Sequence, residues 1–281
     1  MRPNSLAVLG LGAIGGSVAW QSRLAGIPRV IGYTPDRASA VRALKAQAVH
    51  DLADSPARAV QGAELVVLAA PPEAILGLLD SLGPHLAPGA LVTDVASIKA
   101  PILDRARQAG LAARFAGGHP FAGTHRQGWD GARADLFVDA VVYVCATGPE
   151  GDAAAREVMD FWATVLRAHP VLIDAVAHDA RLAWTSHLPQ AVASALAHAL
   201  GGEPSLAGAA FGTGLRDTTR LAASPVEMWV EILLQNRVAM EVPLAGMEAA
   251  LAELRRLVAA NDRAGLTAFL AAAATFRRPL G

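Results

Sequence analysis

Short, continuous apolar runs alternate with amphipathic segments through the first half of the chain. Leu6–Leu9 predicts a buried strand and Gly15–Ala25 the helix after it; Val30–Tyr33 predicts a second strand, followed by a helix from Arg37 to Ala46. Leu65–Ala69 and Leu91–Asp94 predict further strands, each with its own helix, Pro72–Leu82 and Ile98–Ala109. Strands near Phe115–Gly117, Val141–Cys145 and Val171–Ile173 continue the series, with a helix over Ala153–Ala168. Strands that are apolar throughout, rather than alternating, are buried on both faces. Together with intervening helices they predict an α/β, doubly wound parallel sheet joined by right-handed crossovers.

After Asp174 the strand signals stop, and long helical patterns follow over Ala175–Leu200, Ser224–Leu257 and Arg263–Phe276. Pro189 and Pro243 are expected to kink or split the helices they interrupt, because proline lacks the amide hydrogen a helix needs. The boundary is therefore expected at residue 174, with an α/β domain over residues 1–174 and an all-α domain over 175–281. Alanine-rich faces on these helices allow close approach of a second copy, so the second domain has the look of a dimerisation domain.

The 281 residues carry 24 basic and 25 acidic side chains, a formal charge of −1. That balance argues against a nucleic-acid or anionic-membrane partner, which would need a basic face, although local charge clusters can hide inside a neutral total. A single cysteine, Cys145, excludes internal disulfides and cysteine metal clusters. Arg2 ahead of an apolar stretch superficially resembles a signal peptide, but Gly10, Gly12, Gly15 and Gly16 break the run, which reads instead as a first strand and turn. No apolar run is long enough to span a membrane. A soluble, cytoplasmic, metal-independent protein is the expectation.

Gly10-Leu11-Gly12-Ala13-Ile14-Gly15 follows a predicted strand and opens a predicted helix. In that context a G-x-G-x-x-G pattern is the fingerprint of a Rossmann-type dinucleotide site. Gly10 serves the tight turn, Gly12 the approach of the pyrophosphate and Gly15 the packing of helix on strand, while free amides at the helix start hold phosphate. NAD sites place a carboxylate at the end of the second strand. Here Thr34 occupies that place and Arg37 follows three residues later, which favours the 2′-phosphate of NADP. The alternatives are that Asp36 takes the ribose contact of NAD, or that it only caps the next helix.

Three further segments are rich in chemistry: Thr93–Lys99 and Gly117–Thr124 at strand ends, and a helical set comprising His178-Asp179, Ser186–Gln190 and Leu215–Arg220. With them the chain resembles the prephenate and arogenate dehydrogenases of tyrosine biosynthesis. The glycine turn, D-x-x-S-x-K, G-x-H-P-x-A-G-T, H-D-x-x-x-A-x-x-S-H-L-P and R-D-T-T-R occur in that family's order and spacing. The resemblance covers nearly the whole chain.

The resemblance implies oxidative decarboxylation of a cyclohexadienol with NAD or NADP, in a homodimer. His119 would be the base that takes the C4 hydroxyl proton, a role suited to imidazole. Ser97 would hydrogen-bond His119, the substrate hydroxyl or the nicotinamide amide; an N-cap role for the helix at Ile98 is the plain alternative. Arg220 would clamp a substrate carboxylate, with Thr124, His187 and Gln190 lining the pocket; for His187 a satisfied core histidine is the competing reading. The dinucleotide would rest on Gly10, Gly12, Ala13, Ile14, Gly15, Thr34, Arg37 and Ser97.

Two positions depart from the family pattern. His125 stands where many members have an acidic residue, and Gln190 where many have histidine. Both leave the choice between prephenate and arogenate open. Neither a mutase domain before Leu6 nor a regulatory domain after the helices is expected. The competing functions are another Rossmann-type hydroxyacid or imine dehydrogenase with a helical dimer domain, and a dinucleotide-sensing protein without turnover.

Overall fold

The apolar runs of the first half become one eight-stranded sheet in the computed structural model, which describes residues 1–123, 126 and 128–280. The chain divides into two units, one comprising residues 1–181 with 225–235, the other 182–224 with residues from 236 onward.

In the first unit the strands are β1 (Ser5–Leu9), β2 (Arg29–Tyr33), β3 (Asp51–Leu52), β4 (Leu65–Leu68), β5 (Leu91–Asp94), β6 (Phe115–Pro120), β7 (Val141–Ala146) and β8 (His169–Leu172). Their spatial order is β3-β2-β1-β4-β5-β6-β7-β8. Alternate residues explain why whole strands are apolar. Leu6, Val8, Leu65 and Val67 enter one core, while Ala7, Leu9, Val66 and Leu68 enter the other, so both sheet faces are covered.

The helices flanking the sheet are α1 (Ala13–Leu24), α2 (Arg37–Lys45), α3 (Pro56–Ala59), α4 (Pro72–Leu82), α5 (Ala100–Gln108), α6 (Asp152–Thr164) and α7 (Ala175–Leu182). The sheet departs from the all-parallel expectation at one joint, where β7 runs antiparallel to β6. Between these strands the described residues hold only a short 3-10 turn, Gly128–Gly131. A parallel pair needs a crossover of a dozen or more residues, usually a helix, and none is described here. The two-residue β3 is too short to leave a periodic signal.

The second unit is helical, with α8 (Leu188–Gly201), α9 (Thr213–Thr219), α11 (Arg237–Ala259) and α12 (Arg263–Arg277). The intervening α10 (Val226–Gln235) belongs to the first unit, where Ile232 is buried among Ile75, Leu79 and their neighbours. The single helix expected over 224–257 is thus two, broken at Asn236. The break does not fall at Pro243, which sits inside an uninterrupted α11. Pro189 behaves as expected: a π-helical turn, Ala183–His187, precedes it, and the Leu188 amide reaches back to the Ala183 carbonyl. That wider turn absorbs the missing proline amide.

At the start of α1 the spacing of glycines is dictated by contact. A Cβ on Gly15 would run into the Gly10 carbonyl and the Ala69 side chain. Gly10 itself adopts φ +106° against the Ala69 carbonyl, a conformation and clearance available only to glycine. Gly15→Ala should therefore destabilise the protein by about 1–3 kcal/mol through overpacking, seen as a lower urea midpoint.

Candidate active site

In the first unit the chain leaves β1 toward β2 on one side and later returns to β4 on the other. Ligands of open α/β sheets bind at this reversal of strand order, beyond the carboxyl ends of the strands. A cavity of about 480 Å³ opens there, lined by Gly10, Gly12, Tyr33, Thr34, Ala69 and Pro71 among others. Gly12 has nothing closer than the Gly128 Cα, 4.0 Å from where a Cβ would sit, so its surface is open. As N-cap of α1 it makes no side-chain capping bond, and the first turn of the helix carries no acidic residue. Ala13 and Ile14 thus present backbone amides and a positive helix end, the chemistry that holds a phosphate. These features fit a dinucleotide.

Thr34 lies on the wall of this cavity, one residue beyond β2. Asp36 caps α2: its carboxylate accepts from the Ala38 amide at 3.0 Å and the Ser39 amide at 3.3 Å. Hydrogen bonding to Ser39, ahead of the backbone contacts, holds this carboxyl below its ordinary range. Arg37 is the first residue of α2 and is exposed.

The second cluster sits at the carboxyl ends of β5 and β6. Asp94 ends β5 and Lys99 follows five residues later; both are fully buried and form an ion pair. The Asp94 carboxylate also accepts from the Ala96 amide at 2.9 Å and the Gly118 amide at 3.2 Å, while Lys99 Nζ donates to the Gly118 carbonyl at 2.7 Å. Burial pushes the Asp94 carboxyl upward, and Lys99 pulls it back. The pair explains two glycines. A Cβ on Gly117 would meet Leu103 and the Lys99 stem, and one on Gly118 would meet the Asp94 carbonyl.

His119, next in β6, is 8% exposed. Its ring stacks on Phe121, with centroids 4.9 Å apart, and its Nδ1 lies 2.8 Å from His178 Nε2. His178 Nδ1 is in turn 2.7 Å from Asp179 Oδ1. Asp179 accepts the Lys99 and Ala100 amides, each at 2.8 Å, and so caps α5 from a distant part of the chain. The helix therefore starts at Ala100, not Ile98, and Ser97 is not its N-cap. Ser97 lies half-buried in the segment between β5 and α5. On neighbouring β7, Cys145 is buried and its thiol is pushed up to about 12 by desolvation, so it is no nucleophile.

In the second unit His187 is fully buried at the end of the π-helical turn, and Asn236 Nδ2 donates to its Nδ1 at 2.9 Å. Gln190, 4% exposed, donates from Nε2 to the Leu221 carbonyl at 2.9 Å. It thereby holds the 3-10 turn Arg220–Ala223, whose first residue, Arg220, is exposed. Thr124 and His125 lie outside the described residues.

Asp94, Lys99, His178 and Asp179 lie in the chemistry-rich segments of the sequence, but nothing in the local pattern gives these four residues a role. The available signal was charge and imidazole in otherwise apolar stretches, where burial demands a partner. Lys99→Ala would strand a buried carboxylate; we expect a loss of about 3–5 kcal/mol, measured by urea denaturation.

A family model described as the prephenate dehydrogenase nucleotide-binding domain matches residues 20–170, and one described as the prephenate dehydrogenase dimerization domain matches residues 174–272. Prephenate dehydrogenase of Bacillus subtilis is 36% identical over 243 residues, covering 83% of this chain; the chain spans 64% of that relative's length. The crystal structure of Synechocystis arogenate dehydrogenase superposes with a TM-score of 0.81 at 33% identity, covering 99% of this chain and 100% of that one. Prephenate dehydrogenase from A. aeolicus, solved in complex with hydroxyphenyl propionate and NAD+, gives 0.90 at 25% identity, covering 99% and 98%.

Proposed function

The chain belongs to the prephenate dehydrogenase family of oxidoreductases, and on that footing we propose that it catalyses NAD(P)-dependent oxidative decarboxylation of prephenate, arogenate or both. The products are 4-hydroxyphenylpyruvate from prephenate and tyrosine from arogenate. The observation that carries this reading is His119, a buried imidazole at a strand end with a ring nitrogen anchored to His178.

His119 is the catalytic base. It takes the proton of the C4 hydroxyl as the C4 hydrogen departs with its electron pair, and can return it to the phenolate oxygen once carbon dioxide has left and the ring is aromatic. The oxidised nicotinamide, when bound, supplies the hydride acceptor. Ser97 aligns the hydroxyl or the nicotinamide amide with the base. Arg220 clamps a substrate carboxylate with its planar guanidinium, and Gln190 supports that arginine by holding the Leu221 carbonyl. Thr124 and His187 belong to the substrate's surroundings.

For the dinucleotide we assign Gly10, Gly12, Ala13, Ile14 and Gly15 to the pyrophosphate, and Thr34 and Arg37 to the adenosine ribose. NADP is the preferred form. Its support is that Thr34 carries no charge against a 2′-phosphate, Arg37, three residues on, is exposed, and Asp36 spends both carboxylate oxygens on its own helix. We assign residues 1–174 to dinucleotide binding and 175–281 to substrate binding and dimerisation. A homodimer is supported by the family description and by exposed Val238, Val242, Leu251 and Phe276. No helix among the described residues is long and apolar enough to cross a membrane, and a cytoplasmic enzyme is our reading.

Following reduced nicotinamide absorbance with each dinucleotide against each substrate tests the activity; no turnover in any combination refutes it. His119→Asn should lower kcat by on the order of 100-fold or more while leaving dinucleotide affinity unchanged by fluorescence titration. Arg37→Glu should reduce kcat/KM with NADP roughly tenfold or more and leave NAD little changed. A wild-type preference for NAD contradicts the assignment.

A further inference from the structure

Resting on His119 as the base, we propose that His178 and Asp179 are positioning residues. They hold His119 with its proton on Nδ1, so that Nε2 is the atom that receives the substrate's proton.

The order of donors and acceptors follows from the fixed end of the chain of contacts. Asp179 Oδ1 faces the Lys99 amide and Oδ2 the Ala100 amide, two backbone groups that can only donate. Both carboxylate oxygens are thereby engaged as acceptors at the start of α5. His178 Nδ1, 2.7 Å from Oδ1, must then donate. A neutral imidazole has one N–H, so His178 Nε2 is left with a lone pair. That lone pair faces His119 Nδ1 at 2.8 Å, which must donate in its turn. The remaining lone pair of a neutral His119 is on Nε2.

Packing holds the relay in place. His178 is fully buried, and burial lowers its affinity for a second proton against the opposing pull of Asp179. Other groups facing this pair are Lys99 and Asp94 from the β5 end and Tyr143 from β7, whose ring meets His178 edge-on at 5.7 Å. Arg181 Nη1 donates to the Tyr143 hydroxyl at 2.9 Å. When His119 gains the substrate's proton it becomes an imidazolium. Its Nδ1–H points to a neutral ring that is itself hydrogen-bonded to a carboxylate, so the new charge is stabilised without a further proton moving.

The test has two arms. Ring nitrogen shifts of 15N-histidine-labelled wild-type protein, assigned through His119→Asn and His178→Asn, report the tautomers without requiring turnover. Both rings are expected as Nδ1–H, and His119 found as Nε2–H overturns the proposal. In the kinetic arm, Asp179→Asn should lower kcat by on the order of 100-fold or more with KM within roughly threefold. Its loss should also move the acid limb of kcat to lower pH, because the imidazolium loses a stabilising charge. A kcat within roughly threefold of wild type, or an unmoved acid limb, counts against positioning. If the variant does not fold, His178→Asn and the wild-type spectrum still decide. If wild type turns over neither substrate, the activity reading fails while the tautomer measurement remains decisive for the relay.

Discussion

A buried lysine and aspartate hold the carboxyl ends of two neighbouring strands together, and the rest of the candidate site is arranged around them. Lys99 and Asp94 are both without solvent exposure, which would be costly for either alone. The cost is offset by hydrogen bonds beyond the ion pair: Asp94 accepts from the Ala96 and Gly118 amides, and Lys99 donates to the Gly118 carbonyl. The backbone of Gly118 is thus gripped from both its donor and its acceptor, one residue before His119. Glycine at 117 and 118 is a consequence, since side chains there would collide with the pair.

The same segment begins α5, whose first amides are capped not by a neighbour in sequence but by Asp179. A helix start, a buried ion pair and a histidine relay therefore share one short stretch of backbone. Changes to any of them are expected to be strongly coupled, as groups in one hydrogen-bonded network usually are. At the reversal of strand order Gly10 and Gly15 are likewise required by close packing, whereas Gly12 leaves open space beside a helix end suited to phosphate. A formal charge of −1 over the chain conceals this local positive end, because helix-terminal amides do not enter a count of ionised side chains.

Much of this was legible beforehand, for identifiable reasons. Leu65–Leu68 is buried on both faces, so a continuous apolar run marks it within a residue. The glycine turn was readable because each glycine answers a local demand. Expectations failed where a distant contact outweighed a local preference. Pro243 stays within α11 although proline disfavours helix interiors, whereas the chain breaks at Asn236, whose side chain is spent on His187. The antiparallel turn into β7 was invisible, since an apolar strand looks the same in either direction.

The sequence by itself determined the kinds of element, the parallel-dominated α/β plan with a helical partner, the dinucleotide turn and the family. These depend on side-chain type and spacing along the chain, which are local quantities. Only the tertiary structure decided that Asp94 and Lys99 grip Gly118, and that Asp179 caps α5 and faces His178. Hydrogen bonds between residues 59 or 80 positions apart, as at His119–His178 and Lys99–Asp179, have no period to betray them. They exist because burial leaves a polar group no water to turn to, and folding must supply the partner instead.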